Sequence, residues 1–387
     1  MPRMSRRLHV AVVGAGIVGA AVAWSLARRG ARGTLRERAA APATGSTGRS
    51  AAGLRHQFSL GANVRFSRFG AEHFAAFRDL VGADAGFQRV GYLFLVPPDD
   101  ADRWAADRAM QRAEGVAVER WSLAELAARA PYVDLDGLAE GSFGPEDGVL
   151  DPHAATLGYL AAARALGAEV HVDTPVTALR GAAGGWRVVS GARAWRVDRV
   201  VNAAGAWAGD VAALAGAELP VVASRRDVFV TGPVTGLPLP TPLVVDTVTG
   251  VWWRSEGERL LIGRSNPAEP PGFREGVDWR WFEAVLEAAL PRFPFLAYVG
   301  LDRRASWWGW YEVTPDHLPA IGEAPEAPGL FHAAGFSGHG VQHAPATGHA
   351  VADLVLSGST GGFDLTPFDP ARFVGAAPSA RPEARVV

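Results

Sequence analysis

The chain has 387 residues, 48% of them hydrophobic, and a formal net charge of −2. That length exceeds one small core, so two packed domains are expected. The charge makes no electrostatic case for nucleic acid or anionic lipid. Cysteine is absent, which excludes disulfides, thiolate metal sites and any cofactor tethered through sulfur. All 38 basic residues are arginine, so lysine Schiff-base chemistry is excluded as well. No apolar run reaches the roughly 18 residues of a membrane helix. Residues 1–7 are basic but lead into a strand and a glycine turn rather than a leader sequence. We therefore expect no signal peptide and a cytoplasmic location.

The first apolar run, residues 8–13, is followed by Gly14-Ala15-Gly16-Ile17-Val18-Gly19 and a helical stretch, 20–29. A second run at 34–35 ends on Glu37. This is a dinucleotide-binding fingerprint. Gly14 permits the tight turn, Gly16 lets a pyrophosphate approach bare backbone, and Gly19 lets the helix pack on the strand. The helix N-terminus at Ile17 and Val18 offers N–H groups to phosphate. Glu37 stands where a carboxylate accepts ribose hydroxyls. Further along, residues 45–50 form a polar glycine-rich loop, and 63–80 carry apolar residues at helical spacing. A strand is expected at 90–96, and surface helices at 101–113 and 123–129. A helix at 154–166 stops before Gly167. Short strands are expected at 169–172, 176–179, 186–189 and 195–201. A β-rich region follows, with strands at 228–231, 242–246, 251–254 and 260–263. Residues 279–290 read as an amphipathic helix closed by Pro291. A last strand at 330–334 feeds a second glycine loop, Gly335–Gly340, and a helix at about 344–356. The Ala-, Pro- and Arg-rich tail after Pro367 is expected to be poorly ordered.

The pattern predicts an α/β fold: a Rossmann-like dinucleotide domain with an inserted β-rich α+β substrate domain. The expected division gives 1–80, 147–215 and 327–366 to the first and 81–146 and 216–326 to the second, with 367–387 as tail.

Six segments carry a resemblance that covers residues 8–358. They are VVGAGIVGAAVAWSLARRG, GSTGRSAAGLRHQFS, DGVLDPHA, VVNAAGAWAGD, WYEVTPDHLPAIG and GFSGHGVQHAPATG. The chain resembles the FAD-dependent D-amino-acid-oxidase-like family, in its branch of glycine oxidase, sarcosine oxidase and the proline dehydrogenase beta subunit. The resemblance implies the glutathione-reductase-like architecture of that family and noncovalent FAD, since the attachment segment of histidyl flavins is not reproduced. It implies that Gly14, Gly16, Gly19 and Glu37 hold the ADP half and that Arg38 sits near the adenine. Ser46 and Thr47 would contact the pyrophosphate or ribityl chain, and Val176 would meet the adenine through its backbone. Gly205 would let backbone approach, and Gly338, His339, Gly340 and Val341 would present N–H groups to the flavin.

For substrate, the resemblance points to Arg55, whose guanidinium pairs a carboxylate bidentately; the competing reading is a structural arginine bound to an interface acid. Gln342 replaces a lysine of the sarcosine oxidase pattern, leaving either a neutral hydrogen bonder or an exposed helix residue. Tyr311 would orient the substrate amine, and His339 belongs to the loop. Leucine stands where sarcosine oxidases have an oxygen-activating lysine. Adjacent tryptophans at Trp252-Trp253 and Trp307-Trp308 face opposite sides of a strand, so one of each pair could line a pocket while the other packs in the core. No His and carboxylate cluster has metal-ligand spacing, so no metal is expected.

The expected function is oxidation of the C–N bond of a small primary or secondary amine or amino acid by hydride transfer to flavin N5. The imine product then hydrolyses. Three alternatives stay open: a dehydrogenase using an acceptor other than O2, alone or with a partner subunit; an NAD(P)-dependent oxidoreductase; and a flavin-carrying assembly subunit. Expected partners are the small amine and O2 or another electron acceptor, with no nucleic acid and no membrane.

Overall fold

Strand His9–Val13 lies inside a six-stranded sheet of the computed structural model, which describes residues 7–375 and 382–384. The basic stretch expected to carry no leader falls outside the described residues except for Arg7. Across the sheet the order is Ala320–Glu323, Leu330–Ala334, Arg199–Asn202, His9–Val13, Arg32–Arg36 and Glu169–His171. All neighbours are parallel except the first pair. Helix Ile17–Arg28 rises from the end of His9–Val13 and buries every residue from Ile17 to Ala27. Such all-round burial follows from its apolar sequence. It packs between helix Gly340–Ser357 and helix Pro152–Ala165. The two glycine loops, three hundred residues apart, are thereby brought side by side at one end of the sheet.

The second layer is an eight-stranded sheet ordered Trp307–Val313, Val222–Val230, Arg259–Gly263, Trp252–Glu256, Leu243–Asp246, Tyr92–Val96, Glu140–Gly144 and Glu119–Trp121. Its side chains alternate between faces. Leu93, Leu95, Phe229, Val244, Trp253 and Ile262 join one core, closed by helix Trp279–Ala289. Tyr92, Phe94, Val228, Leu243 and Trp252 form another cluster on the opposite face.

Four expectations need correction. The helix expected over 63–80 is two helices, Gly61–Ala75 and Phe77–Val81, separated at Ala76. Val176 is in a loop, and the strand begins at Ala178, where pairing with Gly185–Ser190 starts. Strand Ala320–Glu323, assigned above to the substrate domain, joins the six-stranded sheet because it runs antiparallel to Leu330–Ala334. The tail is partly packed. Phe368 is fully buried, and Arg372 meets Asp316 at 2.7 Å. Glu383 is buried, accepting from Ser59 N–H at 3.0 Å, Ser59 Oγ at 2.6 Å and Asn63 Nδ2 at 2.8 Å. Composition predicted disorder, but these few apolar and charged side chains find buried partners.

Candidate functional site

The strand-to-helix turn at residues 13–17 sets the geometry of a groove. Gly14 has φ +107°, and a Cβ there would fall 2.3 Å from the Ala203 carbonyl oxygen. A Cβ on Gly19 would strike the Gly14 carbonyl oxygen at 2.0 Å. Both positions therefore require glycine for the fold itself. Gly16 differs: its Cβ would meet only Thr47 Oγ1, at 3.1 Å. Its bareness opens space toward the groove, a cavity of about 610 Å³ lined by Gly14, Gly16, Ile17, Val18, Glu37, Arg38, Ser46, Thr47, Val176 and Gly205.

Each of these residues has a defined chemistry in the groove. Glu37 Oε2 accepts from Ala15 N–H and Oε1 from Ala39 N–H, both at 2.8 Å. The carboxylate is thus fixed, and each oxygen keeps lone-pair capacity for a hydroxyl. Arg38 lies over the Trp207 ring at 3.9 Å, which is itself stacked on Phe273. Thr47 Oγ1 accepts from Ile17 N–H at 3.1 Å and retains its proton for a ligand. Ser46 has spent its proton on Trp310 O at 2.6 Å and can only accept. Gly205 has φ +58° at the start of the short helical turn Gly205–Trp207.

A second cavity, about 140 Å³, adjoins the groove and shares Ile17, Val18, Ser46, Thr47, Trp310 and Glu312 with it. Its walls include Arg55, Tyr311 and the loop Gly338–Gln342, so four separated segments of the sequence meet there. The first turn of helix Gly340–Ser357 faces it, and the N–H groups of such a turn have no acceptor within the helix. Gly338 has φ +99°, and a Cβ would lie 2.5 Å from the Tyr311 ring, so glycine lets that ring cover the loop. Burial pushes the Tyr311 phenol upward, keeping it protonated.

Arg55 is buried and donates to Gln57 O, and its Nη2 lies 3.1 Å from His339 Nε2. Burial, then the Arg55 charge, holds His339 well below its ordinary value. A neutral His339 accepting from Arg55 is a positioning residue for the guanidinium. Gln342 uses its amide oxygen to accept from Arg55 N–H at 2.7 Å, so it offers the cavity only its amide nitrogen. It is buried rather than exposed. Of the paired tryptophans, Trp252 lines the cavity and Trp253 packs in the core.

Sequence reasoning gave no site role to Arg226, Asp227, Arg49 or Tyr92, all on the cavity wall. Glu312 lines both cavities. Burial pushes its carboxyl up to about 7, against donation from Gly335 and Phe336 N–H. The signal for Arg226 and Asp227 was three consecutive charges, Arg225-Arg226-Asp227, inside an otherwise apolar strand.

The cleft fits an FAD on its own terms. It has a glycine turn bare where a pyrophosphate would approach, a fixed carboxylate at the ribose position, and a helix N-terminus at the far end. The comparisons agree. The family described as FAD dependent oxidoreductase matches residues 9–354. The bovine (Bos taurus) FAD-dependent oxidoreductase domain-containing protein 1 is 33% identical, over 95% of this chain and 85% of its own. The 4-methylaminobutanoate oxidase (formaldehyde-forming) of Paenarthrobacter nicotinovorans is 29% identical over 95% of this chain, which spans 46% of that protein. Among solved structures, L-proline dehydrogenase from P. horikoshii superposes with a TM-score of 0.87 at 29% identity, covering 95% of this chain and 98% of that one. Glycine oxidase from Geobacillus kaustophilus gives 0.83 at 28%, covering 95% and 100%. With both glycine loops inside the matched region, the chain belongs to the FAD-dependent oxidoreductase family.

Proposed function

We propose that this enzyme oxidises the C–N bond of a small amino acid or other small amine, with FAD held noncovalently in the groove. The observation that carries the reading is the buried Arg55 on the wall of a cavity that merges with the dinucleotide groove. Relatives and structural neighbours whose names specify amine or amino-acid oxidation support it. The family match favours FAD over a nicotinamide cofactor.

Bound FAD supplies a two-electron acceptor. The chain supplies the rest. Gly14, Gly16, Glu37, Arg38, Thr47, Val176 and Gly205 hold the ADP half, with Ser46 accepting; Gly19, expected to join them, does not line the groove and serves the packing of the helix on the glycine turn. Gly338, Gly340 and Val341 place N–H groups at the cavity end, where they stabilise developing negative charge; the His339 N–H, expected to do the same, is already donated to Phe336 O at 2.9 Å, so this residue acts through its ring. Arg55 pairs the substrate carboxylate and fixes where the reacting C–H lies. The protonated Tyr311 hydroxyl orients the amine. Val228, Leu243 and Trp252 exclude water from that side. The substrate amine enters neutral, and no strong base is required. The imine product hydrolyses in water.

A second reading, a dehydrogenase passing electrons to an acceptor other than O2 or to a partner subunit, is favoured by one observation. The strand Arg259–Gly263 presents buried leucines and no amine, and the chain has no lysine at all. No helix among the described residues is long and apolar enough to cross a membrane, and a cytoplasmic location is part of the proposal. The test is direct. The purified protein should be yellow and release its flavin on acid precipitation. Glycine, sarcosine, proline or a D-amino acid should bleach it without air, and readmitted air separates oxidase from dehydrogenase. A colourless protein that takes up no FAD overturns the proposal.

A further inference from the structure

The second cation of this cavity comes from an element the fingerprint does not reach. Arg226 lies in strand Val222–Val230, opposite Gly309 of strand Trp307–Val313, and lines the same cavity as Arg55. Its guanidinium carbon stands 4.9 Å from the centre of the Tyr311 ring. Tyr311, Arg55 and Arg226 all line this one cavity. Arg226 Nη1 donates to Ser224 Oγ at 2.7 Å and Arg225 O at 2.8 Å, while its Nε atom is buried and has no hydrogen-bond partner among the described residues. The ion pairs of this strand belong to Arg225, with Glu269 at 3.0 Å and Asp278 at 3.2 Å. Arg226 makes none among the described residues.

A half-buried guanidinium with no carboxylate partner among the described residues is costly, and a cavity-facing one gains most from a bound anion. The formal charges on the wall point the same way. Arg49, Arg55, Arg226 and Arg264 stand against Asp227 and Glu312, an excess of two positive charges. We propose that the substrate is an amine carrying two carboxylates, an aminodicarboxylate or an N-carboxyalkyl amino acid, with one carboxylate on Arg55 and the second on Arg226. The inference rests on the reading of Arg55 as a carboxylate clamp.

The test uses anions that cannot be oxidised. Glutarate and butyrate are titrated into the FAD-loaded enzyme and followed by tryptophan fluorescence, since Trp252 and Trp310 line the cavity, and by flavin absorbance. Glutarate should bind at least about tenfold more tightly than butyrate. Arg226→Gln should erase that preference while leaving butyrate affinity within about threefold. Arg226→Lys, which keeps the charge, should retain part of it and controls for misfolding. Equal binding of the two anions by the wild type overturns the inference, as does an Arg226→Gln variant that weakens both alike or only loses FAD. If amino acids still bleach the flavin in those cases, the proposed function stands. Failure to hold FAD at all is failure of that function, not of the second carboxylate alone.

Discussion

His339 Nε2 accepts from Arg55 Nη2 at 3.1 Å across 284 residues of sequence, in a place almost closed to water. The acceptor role puts the ring proton on Nδ1 and leaves the imidazole neutral. With Gln57 O on the other guanidinium nitrogen, this contact fixes the orientation of Arg55 on the cavity wall. Arg55→Ala should therefore lower kcat/KM for a carboxylate substrate by about 2–5 kcal/mol, the usual cost of truncating one side of a buried charge pair. His339→Ala should raise KM more than it lowers kcat, with FAD content unchanged. Steady-state kinetics on both variants decide the matter: an Arg55→Ala enzyme with native kcat/KM removes Arg55 from the site.

Gly14 and Gly16 belong to one motif yet answer to different physics. At Gly14 the backbone is left-handed and the Ala203 carbonyl blocks a Cβ, so Gly14→Ala strains the apo fold by at least about 1–3 kcal/mol. At Gly16 the nearest obstacle is a single hydroxyl oxygen, so Gly16→Val should keep the melting temperature of the apo protein and lose FAD. Thermal melts of apo protein and the ratio of visible to ultraviolet absorbance measure the two effects separately. A Gly16→Val protein that keeps its full flavin complement contradicts the placement of the pyrophosphate.

Local chemistry explains which parts of this molecule could be read in advance. The glycine turn, the acid at Glu37 and the alternation of Trp252 with Trp253 depend on neighbours in sequence: Gly14, Gly16 and Glu37 line the groove, and Trp252 lines the cavity while Trp253 packs in the core. The Arg55–His339 contact and the cavity-facing position of Arg226 depend on strand register and on helix Gly340–Ser357 docking against Ile17–Arg28. No window of sequence contains that information. Glu383 shows the limit of composition: an Ala- and Pro-rich tail reads as disordered, yet one buried carboxylate with three donors ties part of it down.

Glu312 forms part of both cavities, and burial pushes it up to about 7. Below that pH it is neutral; above it, a negative charge on the wall shared by the two cavities would oppose the arrival of electrons on a flavin held there. The reduction potential of wild-type enzyme should consequently fall below that of Glu312→Gln as pH rises from 6 to 8. Each ~1.4 kcal/mol of this interaction is worth about 30 mV in a two-electron couple. Redox titration of both proteins across that range is the measurement. Parallel curves would place the carboxylate too far from the flavin to matter.

His73 carries the clearest stability prediction. It is buried in an aromatic cluster with Trp24, Phe69 and Tyr159, and its Nε2 has no hydrogen-bond partner among the described residues. Burial, then the charge of Arg28, lowers it from 6.5 to about 4. Between those values the unfolded chain binds a proton that the folded ring refuses. Stability is therefore complete above pH 6.5 and drains as pH falls, at about 1.4 kcal/mol per pH unit for one group. His332, lowered to about 4, and His343, to about 3, act in the same direction. Glu312 and Asp227, raised to about 7 and about 6, act in the opposite one, because the folded state keeps their protons. The total curve is shallow for that reason, and a single variant is more telling. His73→Phe keeps a ring in the cluster and removes the titration, so it should stabilise the protein at pH 5 relative to pH 8 by about 2 kcal/mol. Urea unfolding at the two pH values reads the difference. An equal effect at both would mean that His73 already carries its proton in the folded protein.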